Sequence, residues 1–240
     1  MKVTAYFRNY ENGATKGFAN LVVDGSVCIN DVRLVEGSNG AFVSMPQRKV
    51  GDEYRDVVTG VSKEFASQTL EAILAAKESN ENHASVGEMG KPYFDPHVNA
   101  IKDPQGSAKA LASLTVRESA DAEKSSFTIN DIRVIQGEKN LFLGMPAEKT
   151  NSEEYPYNEF CSFTKGSQDF LSGLIISKAM DVLGIEKKTA LEDKVKEAQK
   201  TKAEKDAKAK ETKTKEAAKN KTTDSKNSKS KEKKEKESER

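Results

Sequence analysis

Two groups of side chains in this 240-residue chain have the types and spacing to do chemistry. The first is cationic. Arg48, Lys49 and Arg55 follow a Met45-Pro46 stop and lie on either side of Gly51. Guanidinium and ammonium groups just past a strand end can bind phosphate oxygens by charge and hydrogen bonding, displacing counterions as they do so. A few such contacts give weak, salt-sensitive affinity, and an ordinary solvated surface is the alternative. The second group is Asn30-Asp31-x-Arg33, which recurs as Asn130-Asp131-x-Arg133. Residues two apart on a strand share a face. Each Asp and Arg is therefore placed for an ion pair, for hydrogen bonds to a neighbouring turn, or for contact with a ligand. A structural role is favoured, because the block occurs in both places whereas the cations occur in one.

Nothing else assembles into a reactive set. There is no phosphate loop, no paired Cys or His at metal spacing and no Ser-His-Asp candidate, so no enzymatic activity, metal or cofactor is expected. Cys28 and Cys161 are too few for a disulfide framework. They sit in apolar strand-like runs, where free Cys behaves as a small buried hydrophobe. His83 and His97 lie in or beside a polar, Gly- and Pro-bearing stretch and are expected to be solvated.

The elements that position these groups are announced by a repeat. Ser26 to Pro46 and Ser126 to Pro146 match without a gap at an offset of 100 residues, sharing Ile-Asn-Asp, Arg, Gly, Phe and Met-Pro. A repeat of this length is a small domain, well beyond the roughly 20–50 residues of solenoid units. The expected domains are 1–78 and 97–185, joined by a linker at 79–96 and followed by a Lys/Glu-rich segment at 186–240. In the first copy, strands are predicted at Lys2–Tyr10, Lys16–Val23, Val27–Glu36, Ala41–Met45 and Tyr54–Val58. Asp24-Gly25 and Asn39-Gly40 are the turns. Helical spacing of Phe65, Leu70, Ile73 and Leu74 then predicts a helix over Ser62–Glu78. The second copy repeats the order: Val98–Lys102, Ala110–Arg117, Ser126–Gln136, Leu141–Met145, Tyr155–Phe163, then a helix over Ser167–Leu183 stopped by Gly184. In that copy Asn140 is expected to take the turn conformation of Gly40. The fold class is α+β: two tandem units, each an antiparallel sheet with a C-terminal helix.

Charge divides the chain. Residues 1–185 hold 19 Lys and Arg against 25 Asp and Glu, and 186–240 hold 20 against 13. The second segment has no aromatic residue and is expected to be a disordered charged tail. Its lysines, among them Lys187, Lys188, Lys194, Lys196, Lys200 and Lys202, could hold nucleic acid without sequence preference or could serve solubility alone. No apolar run approaches the ~18 residues of a membrane span, and no apolar leader follows Met1. A cytoplasmic protein without a membrane partner is expected.

The block Ile29-Asn30-Asp31-Val32-Arg33-Leu34-Val35-Glu36-Gly37, continued by Gly40-Ala41-Phe42-Val43-Ser44-Met45-Pro46, resembles the SpoVG family. Arg48, Lys49, Gly51, Tyr54, Arg55, Asp56 and Val57 fit the family's continuation, and Met1-Lys2-Val3-Thr4 fits its opening. The second copy resembles it through Asn130-Asp131-Ile132-Arg133 and Met145-Pro146. It departs at Glu148, at Ser152-Glu153-Glu154 and at Pro156-Tyr157-Asn158. The resemblance implies an antiparallel sheet with a C-terminal helix, homodimeric relatives, and regulators that bind DNA or RNA and affect septation or sporulation. Two functions follow as expectations: a nucleic-acid-binding regulator using Arg48, Lys49 and Arg55, or a septation scaffold that touches proteins only. Because single-copy relatives are implied to pair, the tandem copies are expected to form an intramolecular pseudo-dimer, with a homodimer as the alternative. The linker would hold the copies at a local concentration on the order of mM.

Overall fold

The computed structural model describes residues 1–123 and 125–185. The Lys/Glu-rich segment and its lysines lie outside the described residues. The chain opens with an antiparallel meander of β1 (Val3–Asn12), β2 (Thr15–Val23), β3 (Val27–Gly37) and β4 (Gly40–Ser44). A separate hairpin follows, β5 (Gln47–Val50) with β6 (Glu53–Asp56), then β7 (Val58–Thr59), α1 (Lys63–Glu78) and β8 (His83–Val86). The second half repeats this as β9 (Tyr93–Ala100), β10 (Ala108–Arg117), β11 (Phe127–Gln136), β12 (Leu141–Gly144), β13 (Ala147–Lys149), β14 (Tyr157–Glu159), β15 (Cys161–Phe163) and α2 (Gln168–Leu183). The architecture is α+β, with antiparallel sheets and two helices.

Alternation fixes the faces. Along β1 to β3, Val3, Ala5, Phe7, Ala19, Leu21, Val23, Val27, Ile29, Val32 and Leu34 are buried, while the residues between them face outward. Helix α1 packs on β1 and β8, burying Phe65, Thr69, Ala72, Ile73 and Ala76. Ser62 caps it, its hydroxyl accepting from the Phe65 N–H at 3.1 Å, which satisfies one of the orphan donors of the first turn. Helix α2 packs on β9 and ends at Gly184, which is left-handed at φ 64°.

The two halves exchange strands. β7 leaves the first half and pairs with β11, Val58 opposite Ile129. β15 leaves the second half and pairs with β3, Cys161 opposite Ile29. The sheets are thus ordered β15-β3-β2-β1-β8, with β4 beside β3, and β12-β11-β10-β9, with β7 beside β11. Val57, Val58, Phe160 and Cys161 are buried at the crossings. Full burial of one such side chain is worth about 1.5–3 kcal/mol. Phe65 of α1 stacks on Phe127 of β11 with ring centroids 4.6 Å apart, so a single core runs through both halves.

The crossings revise several expected elements. Tyr54–Val58 is two strands, because Val57 turns inward, its N–H donating to the Pro46 carbonyl at 3.0 Å. Tyr155–Phe163 divides in the same way at Phe160, whose N–H donates to the Pro146 carbonyl at 2.9 Å. The basic stretch after Pro46 forms β5, turning back at Gly51 with φ 65°. The stretch 79–96 carries β8, whose Val86 and Ala84 sit opposite Val3 and Ala5 at the edge of the first sheet. It also contains the start of β9. Asp24 and Gly25 both have positive φ in their turn, but Asn140 does not. There the Gly137 N–H closes the loop on the Asn140 carbonyl at 2.9 Å, and no left-handed residue is needed.

Candidate nucleic-acid interface

The Asn-Asp pairs sit at bulges. β2 and β3 lose register between Ala19 and Leu21, where Asn20 faces both Asn30 and Asp31. The same irregularity lies between Ala112 and Leu114 on β10. Asp31 and Asp131 adopt φ 57° and 60°, a conformation Asp tolerates better than most residues. The extra residue turns the Asn outward toward the visiting strand. The Asn30 N–H donates to the Phe160 carbonyl at 2.8 Å, and its side-chain amide donates to the Glu159 carbonyl at 2.8 Å. The Asn130 N–H donates to the Val57 carbonyl at 2.9 Å, and its amide to Thr59 Oγ1 at 2.8 Å. Each Asn therefore holds the strand received from the other half.

Asp and Arg of the block take other partners than each other. Arg48 reaches across to Asp131 at 2.9 Å, with side chains 28% and 31% exposed. Register places Glu148 at the position equivalent to Arg48, and Asn158 at that of Arg55. An acid at Glu148 cannot complement Asp31, and Asn158 instead donates to Asp31 Oδ2 at 2.6 Å. Arg33 donates to Ser44 Oγ at 3.0 Å. Its counterpart Arg133 meets Gly144, which has no hydroxyl, and lines a groove of about 610 Å³ beside Ile176 of α2.

Of the three expected phosphate ligands, Arg48 is thus already in an ion pair, while Lys49 and Arg55 stand exposed on the β5–β6 hairpin. The outward face of the first sheet adds Tyr6 and Tyr10, and the β5–β6 hairpin adds Tyr54. Tyr6, Tyr10 and Tyr54 are 51%, 48% and 67% exposed. Arg8 lies over the Phe18 ring at 5.6 Å, and Tyr6 stacks on His83 at 5.7 Å. Two clefts open on this face. One of about 320 Å³ lies between Tyr6, Arg8, Phe18 and Asn158. The other, about 300 Å³, brings Tyr54 and Gln47 of the hairpin to Arg8, Phe18 and Arg33 of the sheet. The alternation in Lys2–Tyr10 carried the signal for this face, since Tyr6 and Arg8 are out of phase with the buried Val3, Ala5 and Phe7.

Both Cys thiols are pushed up from their ordinary pKa. Burial does so for Cys161, with a smaller contribution from Cys28. Burial also does so for Cys28, partly offset by a hydrogen bond with Ser162. Neither is an activated nucleophile. Among the described residues no group of three or more His, Cys, Asp or Glu is arranged to hold a metal ion. No helix there is long and apolar enough to cross a membrane.

The fold and this face define a class: a duplicated α+β unit whose halves complete each other's sheets and leave a mixed aromatic and cationic surface open. A family model described as SpoVG matches residues 1–79 and again 94–165, and the chain belongs to the SpoVG family. It is 34% identical over 68 residues to "Putative septation protein SpoVG 1" of Listeria monocytogenes serotype 4b, covering 28% of this chain and 67% of that protein. It is 40% identical over 68 residues to the "Putative septation protein SpoVG" of Symbiobacterium thermophilum, covering 28% and 49%. The protein of that name from Archaeoglobus fulgidus is 32% identical over 76 residues, 31% of this chain and 89% of its own. No solved structure matches.

Proposed function

We propose that this chain is a nucleic-acid-binding regulator in septation or sporulation, acting without catalysis. The observation that carries the reading is the β5–β6 hairpin. It projects Lys49 and Arg55 into solvent and shares a cleft with Arg8 and Arg33 of the sheet. Lys49 and Arg55 are free to meet phosphate oxygens, whereas Arg48 is committed to Asp131. The septation context is supported by the names of the relatives.

Gel shifts in a salt series test the proposal. Binding should weaken steeply with salt, since each neutralised phosphate contributes about −0.7 to −0.9 to the log–log slope. The pair Lys49→Glu and Arg55→Glu should weaken binding about tenfold or more at low salt and flatten that slope. Arg48 is left in place so that the fold is not disturbed. Unchanged affinity would remove the hairpin from the account.

A second reading is a protein-binding scaffold, favoured by the excess of acidic groups over residues 1–185. It predicts retention of a septation partner with no gel shift at any salt concentration.

A further inference from the structure

The outward face of the first sheet has a chemistry that its fold does not require. Strand register identifies the equivalents in the second half. Tyr6 lies opposite Asn20 and Arg8 opposite Phe18, and Phe18 in turn faces Arg33. In the second half His97 lies opposite Ser113 and Asn99 opposite Leu111, and Leu111 faces Arg133. The same sheet positions thus hold Tyr, Arg and Phe in one half and His, Asn and Leu in the other. The bulge, the inner face and the exchanged strand are present in both. Aromatic rings at the positions of Tyr6 and Phe18 are therefore not demanded by packing in this fold, whereas Tyr54 has an exposed aromatic counterpart in Tyr157.

We infer that this face is a stacking platform for unpaired bases, so that the ligand is single-stranded nucleic acid rather than duplex. The inference rests on the nucleic-acid reading of the neighbouring hairpin and specifies its ligand. Tyr6, with one ring face on His83, Phe18, half-buried beside Tyr10 and beneath Arg8, and the exposed Tyr54 line two adjoining clefts with aromatic surface. Stacking on such rings is available to every base but only when the base is out of a helix. Arg8, already over Phe18, adds a planar cation. Asn20 and Asn158 border the first cleft with amides that can meet base edges. Lys49 lies opposite Tyr54 and shares its face of the hairpin, where the sugar-phosphate chain would run, while Arg55 shares the other face with Arg48. Two acids also face the clefts. Asp31 accepts from Asn158, and Glu148 borders the second cleft. Both disfavour phosphate at the floor, which leaves the floor to bases. A duplex keeps its bases stacked inside and offers this floor only phosphates.

The full chain lends itself to a direct readout, because it has six Tyr and no Trp. Intrinsic tyrosine emission and fluorescence anisotropy would be followed with a 12-nucleotide single strand, the same sequence as a duplex, and an abasic strand of equal charge. The single strand should bind at least about tenfold more tightly than the other two and quench the emission. Tyr6→Ala and Tyr54→Ala should each weaken it by about five- to a hundredfold. Tyr6→Phe and Tyr54→Phe should restore binding, and the salt slope should stay unchanged throughout. Equal affinity for normal and abasic strands, or Ala variants that bind like the parent, would overturn the platform. If Lys49→Glu with Arg55→Glu still weakened binding in that event, the nucleic-acid reading would survive without it. No binding to any of the three probes at low salt would overturn both.

Discussion

At the scale of single residues, one difference between the halves is a charge of opposite sign at equivalent positions. Arg48 complements Asp131, but Glu148 stands where Asp31 would need a cation, and Asn158 fills that need with an amide. Glu148→Arg should therefore create the missing pair and raise stability by about 0.5 kcal/mol, a value suited to a partly exposed pair. Arg48→Ala should lower it by about 1 kcal/mol for the same reason, and urea midpoints measure both. The thiols make a separate prediction. Burial holds their folded-state pKa values above the ordinary thiol range, so the folded chain holds protons that the unfolded chain gives up. Their contribution is complete below about pH 9 and is lost as pH rises above it. Cys161→Ala should flatten the alkaline decline in unfolding free energy, and an unchanged decline would exclude Cys161 as its source. At this scale the sequence showed Cys161 as buried and Asn30, Asp31 and Arg33 as a unit. It could not show their partners, because Asn30 bonds to Glu159 and Arg48 to Asp131, residues far away along the chain.

At the scale of elements, the halves hold one shape with different volumes. Gly17 has no room for a side chain, since an added Cβ would lie 2.2 Å from Phe7 Cζ and 2.7 Å from the Arg8 carbonyl oxygen. By register, Ala110 occupies the place of Gly17 in the second half and Val98 that of Phe7. A larger strand residue there accompanies a smaller neighbour. Gly17→Ala alone should cost about 1–3 kcal/mol by overpacking. Phe7→Val in the same chain should recover part of that loss, giving a favourable coupling in a double-mutant cycle. Additive losses would contradict the account. Long alternating strands and both helices were legible from local pattern, because each buries one face. The short crossing strands were not, since β7 and β15 owe their pairing to sheets formed elsewhere in the chain. β8 carries little local signal, because its four residues lie among Asn and Gly.

At the scale of the whole molecule, the exchange of β7 and β15 makes each half incomplete alone. Residues 1–91 would lack the strand that covers β3, and residues 92–185 would lack the one that covers β11. Neither fragment should fold separately, whereas an equimolar mixture should regain the circular dichroism of 1–185 with a midpoint that depends on concentration. The intact chain should sediment as a monomer, with a midpoint independent of concentration. A stable dimer of full-length chains would contradict this.

Strand exchange within one chain also sets valence. Two identical subunits joined this way present every surface in duplicate, and a change in one is forced on the other. Here the partners are encoded separately, so Tyr6, Arg8 and Phe18 on one side coexist with His97, Asn99 and Leu111 on the other. A molecule of this design carries one copy of its first-sheet face. As a monomer it would gain no avidity from a second, and on the function proposed above it would engage nucleic acid as a single, oriented unit.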